Sequence, residues 1–373
     1  MTGLGMRGSY GVAASPFTKG PYRFSEFITF EGGMAGANTP GKCFYVDPRG
    51  PEYGHGSDQN DGYSWDSALA TIQAAVNKCV TKRGDIIFVG SAAEDKNTTY
   101  FTGTTEYPDY RKIKENVLIY DKANVHIFAV PFKSNWSHQI RASDGVGQYL
   151  DGSLAGSRTL IPISLYAQVI SNSVAFVVMS RDVEIAGFTI DSGGGKVGMY
   201  IGDGSYLTLT GDALGEEGAN ASGAWIHDNY FIGDGTASTG AGIALQGCGS
   251  DVIIENNSFD KLDGFGIYIG SGSEKTIERP TIRGNHFKNC LGYGIFAYNT
   301  ATTVQVLIHG NTFQDGSNTM TNPVLFNGDS PVDCLASSNW LGCTNGIVLG
   351  ASSWISGNYR NTAGNAATYV DVD

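Results

Sequence analysis

One phrase, first written as Ile226-x-x-Asn229-x-Phe231, decides the fold of this chain. It recurs with its apolar ends and its asparagine in place, and successive asparagines are 28, 28, 26 and 47 residues apart. Repeats of about 20 to 30 residues indicate a solenoid, in which each repeat is one turn of a coil. The later copies are Ile254-x-x-Asn257-x-Phe259, Ile282-x-x-Asn285-x-Phe287, Ile308-x-x-Asn311-x-Phe313 and a degraded Ile355-x-x-Asn358-x-Arg360.

A second phrase follows the first, and it too has the alternation of a β-strand. Its copies are Gly242-Ile243-Ala244-Leu245, Gly266-Ile267-Tyr268-Ile269, Gly294-Ile295-Phe296-Ala297 and Gly346-Ile347-Val348-Leu349. Apolar residues at alternate positions indicate strands that bury one side, and the Gly, Asn, Ser and Asp between phrases suit tight turns. We therefore predict three short strands per turn of the coil. The asparagines would stack at one corner and hydrogen-bond along the axis, while the phenylalanines fill the interior.

The segment before the repeats has the pattern of a loop, an amphipathic helix and a first strand. Apolar residues between Ser64 and Cys79 fall on one helical face, which suits a helix that caps the open end of the coil. Gly84 is predicted to end this helix, just before the strand that runs to Gly90. The capping face consists of Leu69, Ile72, Ala75, Val76 and Cys79.

Together, the repeated phrases and this lead-in resemble the pectate-lyase-like right-handed parallel β-helix superfamily over residues 43 to 365. The resemblance implies an all-β fold: a right-handed parallel β-helix (solenoid) with an N-terminal capping helix and an extended N-terminal arm. Within the superfamily we expect a phage virion-associated type, similar to decoration proteins and spikes. The superfamily also holds lyases, hydrolases, esterases and adhesins, so the fold by itself does not identify an activity.

We divide the 373 residues into three segments. Residues 1–42 form an extended basic and aromatic arm, and residues 43–90 form the lead-in loop, capping helix and first strand. Residues 91–373 form the β-helix body, with loop insertions near 133–160 and 204–223. The 52 glycines and a charged fraction of only 16% agree with many turns and little helix.

The charge and the cysteines argue against several functional classes. A net charge of −12 without a basic stripe argues against nucleic-acid binding. The six cysteines include no CxxC pair and no accompanying histidine cluster, so we expect no cofactor and no metal ion. No basic start followed by an apolar run precedes Pro40, and no stretch is long enough to span a membrane. We therefore expect a virion protein, made in the host cytoplasm without a signal peptide.

The first 42 residues differ from the rest in charge. They carry four basic and two acidic residues, a balance of +2 that leaves −14 on the remainder. A Gly, Ser and Ala-rich start cannot form its own core, but a compact group of aromatic residues follows it. We predict that this arm docks on other virion proteins, either capsid or tail subunits; a frayed terminus is the alternative. The residues assigned to this interface are Phe17, Tyr22, Arg23, Phe24, Phe27 and Phe30.

The second phrase also presents an outward column, which we call the wall stripe. If its isoleucines point inward, the residues between them point outward. Stacked about 4.8 Å apart, these residues would form an apolar stripe of the kind that marks an interface. By resemblance to phage spikes we expect a homotrimer, and burial of the stripe under the insertion at 204–223 is the alternative. The stripe consists of Tyr200, Tyr268, Phe296 and Val348.

A second outward column follows the isoleucines of the first phrase. It consists of His227, Glu255, Arg283 and His309. Ion pairs between neighbouring turns would explain it without any chemistry. Pectate lyases need grouped carboxylates for calcium beside an arginine base, and polygalacturonases need paired carboxylates, patterns that are missing here. We assign no catalytic residue and keep these four as alternative catalytic or glycan-binding candidates.

Two functional classes therefore remain open. The first, which we favour, is a structural bacteriophage virion protein: a capsid-surface decoration or cement protein, or a head fibre, anchored by its arm. The second is a tailspike or secreted-type carbohydrate-active β-helix, a polysaccharide lyase or depolymerase that binds or cleaves host glycans. The missing catalytic motifs make a non-enzymatic role the stronger expectation.

Overall fold

The chain divides after Gly41, and nearly all described residues belong to the unit Lys42–Asp373. The arm at 1–40 and nearly all of the two expected insertions lie outside the described residues, so the interfaces and insertions expected there stay predictions. The computed structural model describes residues 41–48, 56–90, 112–113, 115–130, 166–168, 174–192, 196–202, 220–233, 235, 240–247, 249–262, 264–270, 277–298, 303–315, 320–327, 333–343, 345–349, 353–360 and 368–369.

Three long sheets make up this unit, named here sheets 1, 2 and 3. Sheet 1 contains Cys43–Val46, Asp85–Gly90, Val125–Val130, Glu184–Ala186, Trp225–His227, Ile253–Glu255, Thr281–Arg283, Leu307–His309, Leu335–Ser337 and Trp354–Ser356. Sheet 2 contains Lys112–Ile113, Tyr166–Gln168, Thr189–Asp191, Tyr230–Ile232, Ser258–Asp260, His286–Lys288, Thr312–Gln314, Trp340–Gly342, Tyr359–Arg360 and Thr368–Tyr369. Sheet 3 contains Val117–Ile119, Val174–Val178, Val197–Gly202, Ala241–Gln246, Phe265–Gly270, Tyr293–Ala297, Asn322–Phe326 and Ile347–Val348.

Each regular turn of the coil adds one strand to each long sheet, and equivalent positions stack on one another. Ile226 lies opposite Ile254 in sheet 1, and Phe231 lies opposite Phe259 in sheet 2. Neighbouring strands are parallel in every described pair except the last of sheet 2, Tyr359–Arg360 with Thr368–Tyr369. The predicted parallel coil of three strands per turn is confirmed. A small fourth sheet joins Gly249–Ser250, Ile277–Glu278 and Thr303–Val304.

The asparagines form the predicted ladder at the corner between sheets 1 and 2. The backbone N–H of Asn257 donates to Oδ1 of Asn285 at 2.9 Å, and its Nδ2 donates to the same oxygen at 3.1 Å. The Nδ2 also reaches the carbonyl of Ile226 at 2.9 Å. The Asn257 side chain thus satisfies buried backbone groups of its own turn and of the turn before it. The ladder runs through Asn229, Asn257, Asn285, Asn311, Asn339 and Asn358.

The phenylalanines stack inside the coil, as predicted. Adjacent ring centroids in the column are 4.7–4.9 Å apart and the ring planes differ by 4–7°. The second phrase needs its glycine because of these rings: a β-carbon on Gly266 would lie 2.6 Å from Cδ1 of Phe287. The two phrases are therefore complementary parts of one packing arrangement. The column consists of Phe231, Phe259, Phe287 and Phe313.

Sequence reasoning missed one turn of the coil within the 47-residue interval. Asn339 continues the asparagine ladder, with Ala336 and Leu341 in the places of isoleucine and phenylalanine. Pro323 stands where the second phrase has glycine, in the strand Asn322–Phe326. The inward positions of this turn are still apolar, but they are filled by residues other than isoleucine and phenylalanine. A search for the repeated phrase therefore does not detect this turn.

The capping helix is shorter than expected. It spans Ile72–Lys78, with the Thr71 side chain accepting from the N–H of Ala74 as its N-cap. Leu69 lies before the helix, in a bridge to Val46, although all five residues of the expected capping face are buried. The helix ends at Lys78, so the expectation that Gly84 ends it was wrong; Gly84 has φ +77 in the turn before the next strand. No helix in the described ranges is long and apolar enough to cross a bilayer.

Candidate functional site

The outer face of sheet 1 carries the titratable column predicted from the sequence. In the strand Trp225–His227 the middle residue, Ile226, is fully buried, so its two neighbours project outward. The outer face therefore has two columns, one on each side of the buried isoleucines. We call the part of it around Trp225 the sheet 1 face.

Four titratable side chains meet in the first half of this face. Glu184 lies between two histidines: its Oε2 is 2.6 Å from Nδ1 of His126, and its Oε1 is 2.9 Å from Nε2 of His227. The other ring nitrogen of His227, Nδ1, is 2.7 Å from Oδ2 of Asp228. The imidazole of His227 thus lies between two carboxylates: Glu184 from the previous turn of the coil and Asp228, the next residue in the chain.

These contacts change the acid–base behaviour of the cluster. Burial opposes ionisation of Glu184, but hydrogen bonds from His126 and His227 outweigh it and lower the pKa of Glu184 to about 2. Burial likewise opposes protonation of His227, but the bonds to Asp228 and Glu184 raise its pKa to about 9. At neutral pH the pair is an ionised carboxylate and an imidazolium.

Trp225 links this cluster to the next turns. Its indole stacks on the imidazole of His227, with centroids 4.2 Å apart and planes 29° apart. Its Nε1 donates to Oε1 of Glu255 at 2.8 Å, and Oε2 of Glu255 accepts from Nε of Arg283 at 2.5 Å. Trp225 is 37% exposed and the Arg283 side chain 51% exposed, while Glu255 is nearly buried between them. The indole is therefore held at two points and still presents surface to solvent.

The predicted column is only partly one site. Glu255 and Arg283 pair as expected. His227 is opposite Glu255 in the sheet, yet it bonds Glu184 and Asp228 instead, so the expected His227–Glu255 pair was wrong. Both Glu255 oxygens are already engaged, by Trp225 and Arg283. The His309 side chain lies apart from this network and bonds the Ser337 hydroxyl at 3.0 Å.

Sequence reasoning missed four residues of this site: His126, Glu184, Trp225 and Asp228. Glu184 precedes Ile185, which is opposite Ile226 and begins an earlier, weaker copy of the phrase in which Phe188 takes the asparagine position. Alignment of that copy would have placed Glu184 and Trp225 in one outward column. The stacking of Trp225 on His227 and the contact of the Asp228 carboxylate with His227 depend on side-chain conformations. The sequence contains no signal for them.

The wall stripe has the predicted register but uneven exposure. Tyr200, Ala244, Tyr268 and Phe296 are successive partners in sheet 3. Tyr200 is 2% exposed and packs in a second apolar cluster with Val177 and Met179, whereas Val348 at the other end is 45% exposed. The Tyr200 end is therefore buried within the chain. Burial under the insertion at 204–223 stays a prediction, because nearly all of that segment lies outside the described residues. The role of the stripe as an interface stays a prediction.

The sheet 1 face has the chemistry of a polar binding surface with one aromatic platform. Charged donors and acceptors surround an exposed indole, and both carboxylates beside it are fixed by hydrogen bonds. Among the described residues, no group of three or more His, Cys, Asp or Glu side chains is placed to hold a metal ion.

The stacked parallel sheets, the asparagine ladder and the aromatic interior define a parallel β-helix. A family model described as a right-handed β-helix region matches residues 173–359, half of the chain, and the chain belongs to this family. A search of curated proteins finds no match.

Several solved structures are similar to this chain at low identity. A periplasmic alginate epimerase, AlgG, is 17% identical, with 74% of this chain and 50% of that one covered and a TM-score of 0.36. The tailspike protein of E. coli bacteriophage HK620, solved with a pentasaccharide, is 11% identical, with 73% and 53% covered and a TM-score of 0.31. A rhamnogalacturonan lyase is 13% identical, with 85% and 87% covered and a TM-score of 0.28. The chain spans about half the length of the first two.

Proposed function

We propose that this chain is a polysaccharide-binding β-helix protein and that the sheet 1 face binds the glycan. One observation carries the proposal: the indole of Trp225 is immobilised by His227 and Glu255 and yet remains exposed, and Glu255 also holds the exposed Arg283. Binding surfaces gain affinity when their anchor residues are rigid before the ligand arrives, because less conformational entropy is lost.

A sugar ring has apolar C–H groups and polar hydroxyl groups, and the sheet 1 face has partners for both. The C–H groups of a pyranose pack on the exposed indole of Trp225, and hydroxyl groups exchange hydrogen bonds with charged side chains nearby. Of the three guanidinium nitrogens of Arg283, only Nε is bonded to another described residue. The two η nitrogens can therefore donate to hydroxyl oxygens. Asp228, exposed beside His227, can accept.

Binding fits this face better than cleavage does. Carboxylate-catalysed glycoside hydrolysis needs one carboxyl that carries a proton at working pH. The hydrogen bonds from His126 and His227 keep Glu184 ionised, and both oxygens of Glu255 accept bonds from Trp225 and Arg283. We therefore propose recognition of host glycans without turnover, which keeps the binding part of the carbohydrate-active alternative and drops its cleavage.

The test is binding of the full chain to an array of bacterial surface polysaccharides. We expect binding to at least one of them and a loss of about tenfold or more in affinity for Arg283→Ala. Arg279→Ala is the matched control. Arg279 is about as exposed as Arg283 and is also ion-paired, but its partner is Asp251, in the turn before the strand Ile253–Glu255. Equal effects of the two variants, or no binding by the native chain, would contradict the proposal. Release of new reducing or unsaturated ends would show turnover.

A structural virion role is the second candidate, and the charge of the arm favours it. Residues 1–42 carry +2 while the remainder carries −14, so the arm suits docking on another virion protein, on the capsid or the tail. The exposed end of the wall stripe at Val348 suits contacts in a homotrimer. Deletion of residues 1–40 should abolish incorporation into particles. Unchanged incorporation would contradict the anchoring role, and absence of the native chain from particles would contradict the virion location.

A further inference from the structure

The sheet 1 face contains more negative charge than free positive charge. Glu184, Asp228 and Glu255 are its carboxylates, and His227 and Arg283 its paired cations. Each cation contacts at least one carboxylate at 2.5–2.9 Å. The cations of this face are therefore already neutralised by the protein itself.

The geometry of His227 requires its positive charge. Both ring nitrogens face carboxylate oxygens, Nε2 that of Glu184 and Nδ1 that of Asp228. A neutral imidazole has one N–H, so only the imidazolium can donate to both. With His227 and Arg283 charged, three negative charges stand against two positive ones. Protonation of His126, which bonds Glu184, would make the sum zero and would leave no positive excess.

The turns that border sheet 1 contain carboxylates together with two cations, Arg181 and Arg279. Asp182, Asp251 and Asp333 occupy equivalent corners with φ of +56, +61 and +55. The arginine at the same corner, Arg279, is held by Asp251 and by Glu278. A polymer lying along sheet 1 would therefore pass beside carboxylates, on a body whose formal charge is −14.

We infer that the sheet 1 face selects uncharged polysaccharide and rejects polyanionic glycans such as uronate polymers. This inference rests on the proposed function and names its ligand class. A uronate or sulfate group finds no unneutralised cation here and meets like charge within a Debye length, about 8 Å at physiological salt. Uncharged hydroxyl groups can use the same fixed donors and acceptors without that repulsion.

The experiment compares polymers that differ only in charge. Dextran, mannan and galactan are each measured beside a carboxymethyl derivative and a neutral hydroxyethyl derivative of the same backbone, by interferometry on the immobilised full chain. For the backbone that binds, we expect the hydroxyethyl form to bind within about threefold of the parent and the carboxymethyl form at least tenfold more weakly. Salt raised from about 50 to 500 mM should narrow that difference, since screening weakens the repulsion.

A variant tests whether the bordering carboxylates contribute. In Asp182→Asn/Asp333→Asn the turns are kept, because asparagine tolerates positive φ. We expect unchanged affinity for the neutral polymer and a smaller penalty for the carboxymethyl polymer. Equal or tighter binding of the carboxymethyl form by the native chain would overturn the inference while leaving glycan binding intact. Failure to bind any polymer, neutral or acidic, would contradict the proposed function and the inference with it.

Discussion

The indole of Trp225 stacks on the imidazole of His227, with the two ring centroids 4.2 Å apart. Two carboxylates hold that imidazole from its edges, Glu184 at 2.9 Å and Asp228 at 2.7 Å. The orientation of the exposed tryptophan therefore depends on a charged ring beneath it. The first prediction concerns that charge.

We predict that His227 titrates with a pKa near 9, well above the ordinary value of 6.5. A raised pKa means that its contribution to stability is complete below pH 6.5 and is lost as the pH rises through about 9. NMR titration of the histidine rings, with His227→Gln to assign the resonance, measures this directly. The difference in free energy of unfolding between native chain and His227→Gln should shrink over the same range. Titration near 6.5 would mean that the two carboxylate contacts are not formed.

The second prediction concerns the glycine of the repeated second phrase. A methyl group at Gly266 would lie 2.5 Å from the carbonyl oxygen of Gly294 and 2.6 Å from Phe287. Gly266→Ala should therefore lower the free energy of unfolding by about 1–3 kcal/mol, as other overpacked cores do. Gly346→Ala is the matched control at the same place in the last phrase, with no atom within 4 Å of the added methyl group. Urea denaturation compares them, and similar losses in both would refute the packing role of Phe287.

The third prediction concerns the asparagine ladder. Asn257→Ala removes the acceptor of the Asn229 backbone N–H and the donor to the Ile226 carbonyl, both in the interior. Each buried group left unpaired costs about 1–3 kcal/mol, so we expect a loss of about 3 kcal/mol or more. Lys288→Ala, exposed on a strand of sheet 2, should change stability by less than about 0.5 kcal/mol. Thermal or urea unfolding distinguishes these outcomes, and a tolerated Asn257→Ala would show that water replaces the amide.

Most of the coil could be predicted because a solenoid repeats one packing solution. Ile226, Asn229 and Phe231 each stack on their own kind in the next turn, so the recurring letters indicate recurring contacts. The turn at Asn339 was missed because Ala336 and Leu341 fill the same interior positions with other shapes. A strict letter pattern is narrower than the physical requirement, which is an apolar side chain of about the right size.

The site was harder to predict than the fold. The alternation of strands placed His227 and Glu255 on one outer face, and that placement is correct. Their partners are not set by alternation: His227 turns toward Glu184 and Asp228, and Glu255 is taken by Trp225 and Arg283. Such choices depend on rotamers and on competition between several acceptors within reach, which a periodic pattern does not encode.

Binding of a defined glycan to two tryptophan variants tests the central claim most directly. Trp225 and Trp354 occupy the same outward column of sheet 1, both just before an inward isoleucine, and Trp354 is the more exposed at 61%. They stand five turns apart, about 24 Å at one strand spacing per turn. The ligand is a short oligosaccharide from the polymer that the array identifies, measured by calorimetry.

We predict that Trp225→Ala weakens binding about 30-fold, the loss of roughly 2 kcal/mol typical of a central aromatic anchor. Trp354→Ala should leave the affinity within about twofold of the native value. Unfolding curves serve to show that both variants are folded. Native affinity in a folded Trp225→Ala, or equal losses in the two variants, would contradict glycan binding at the sheet 1 face.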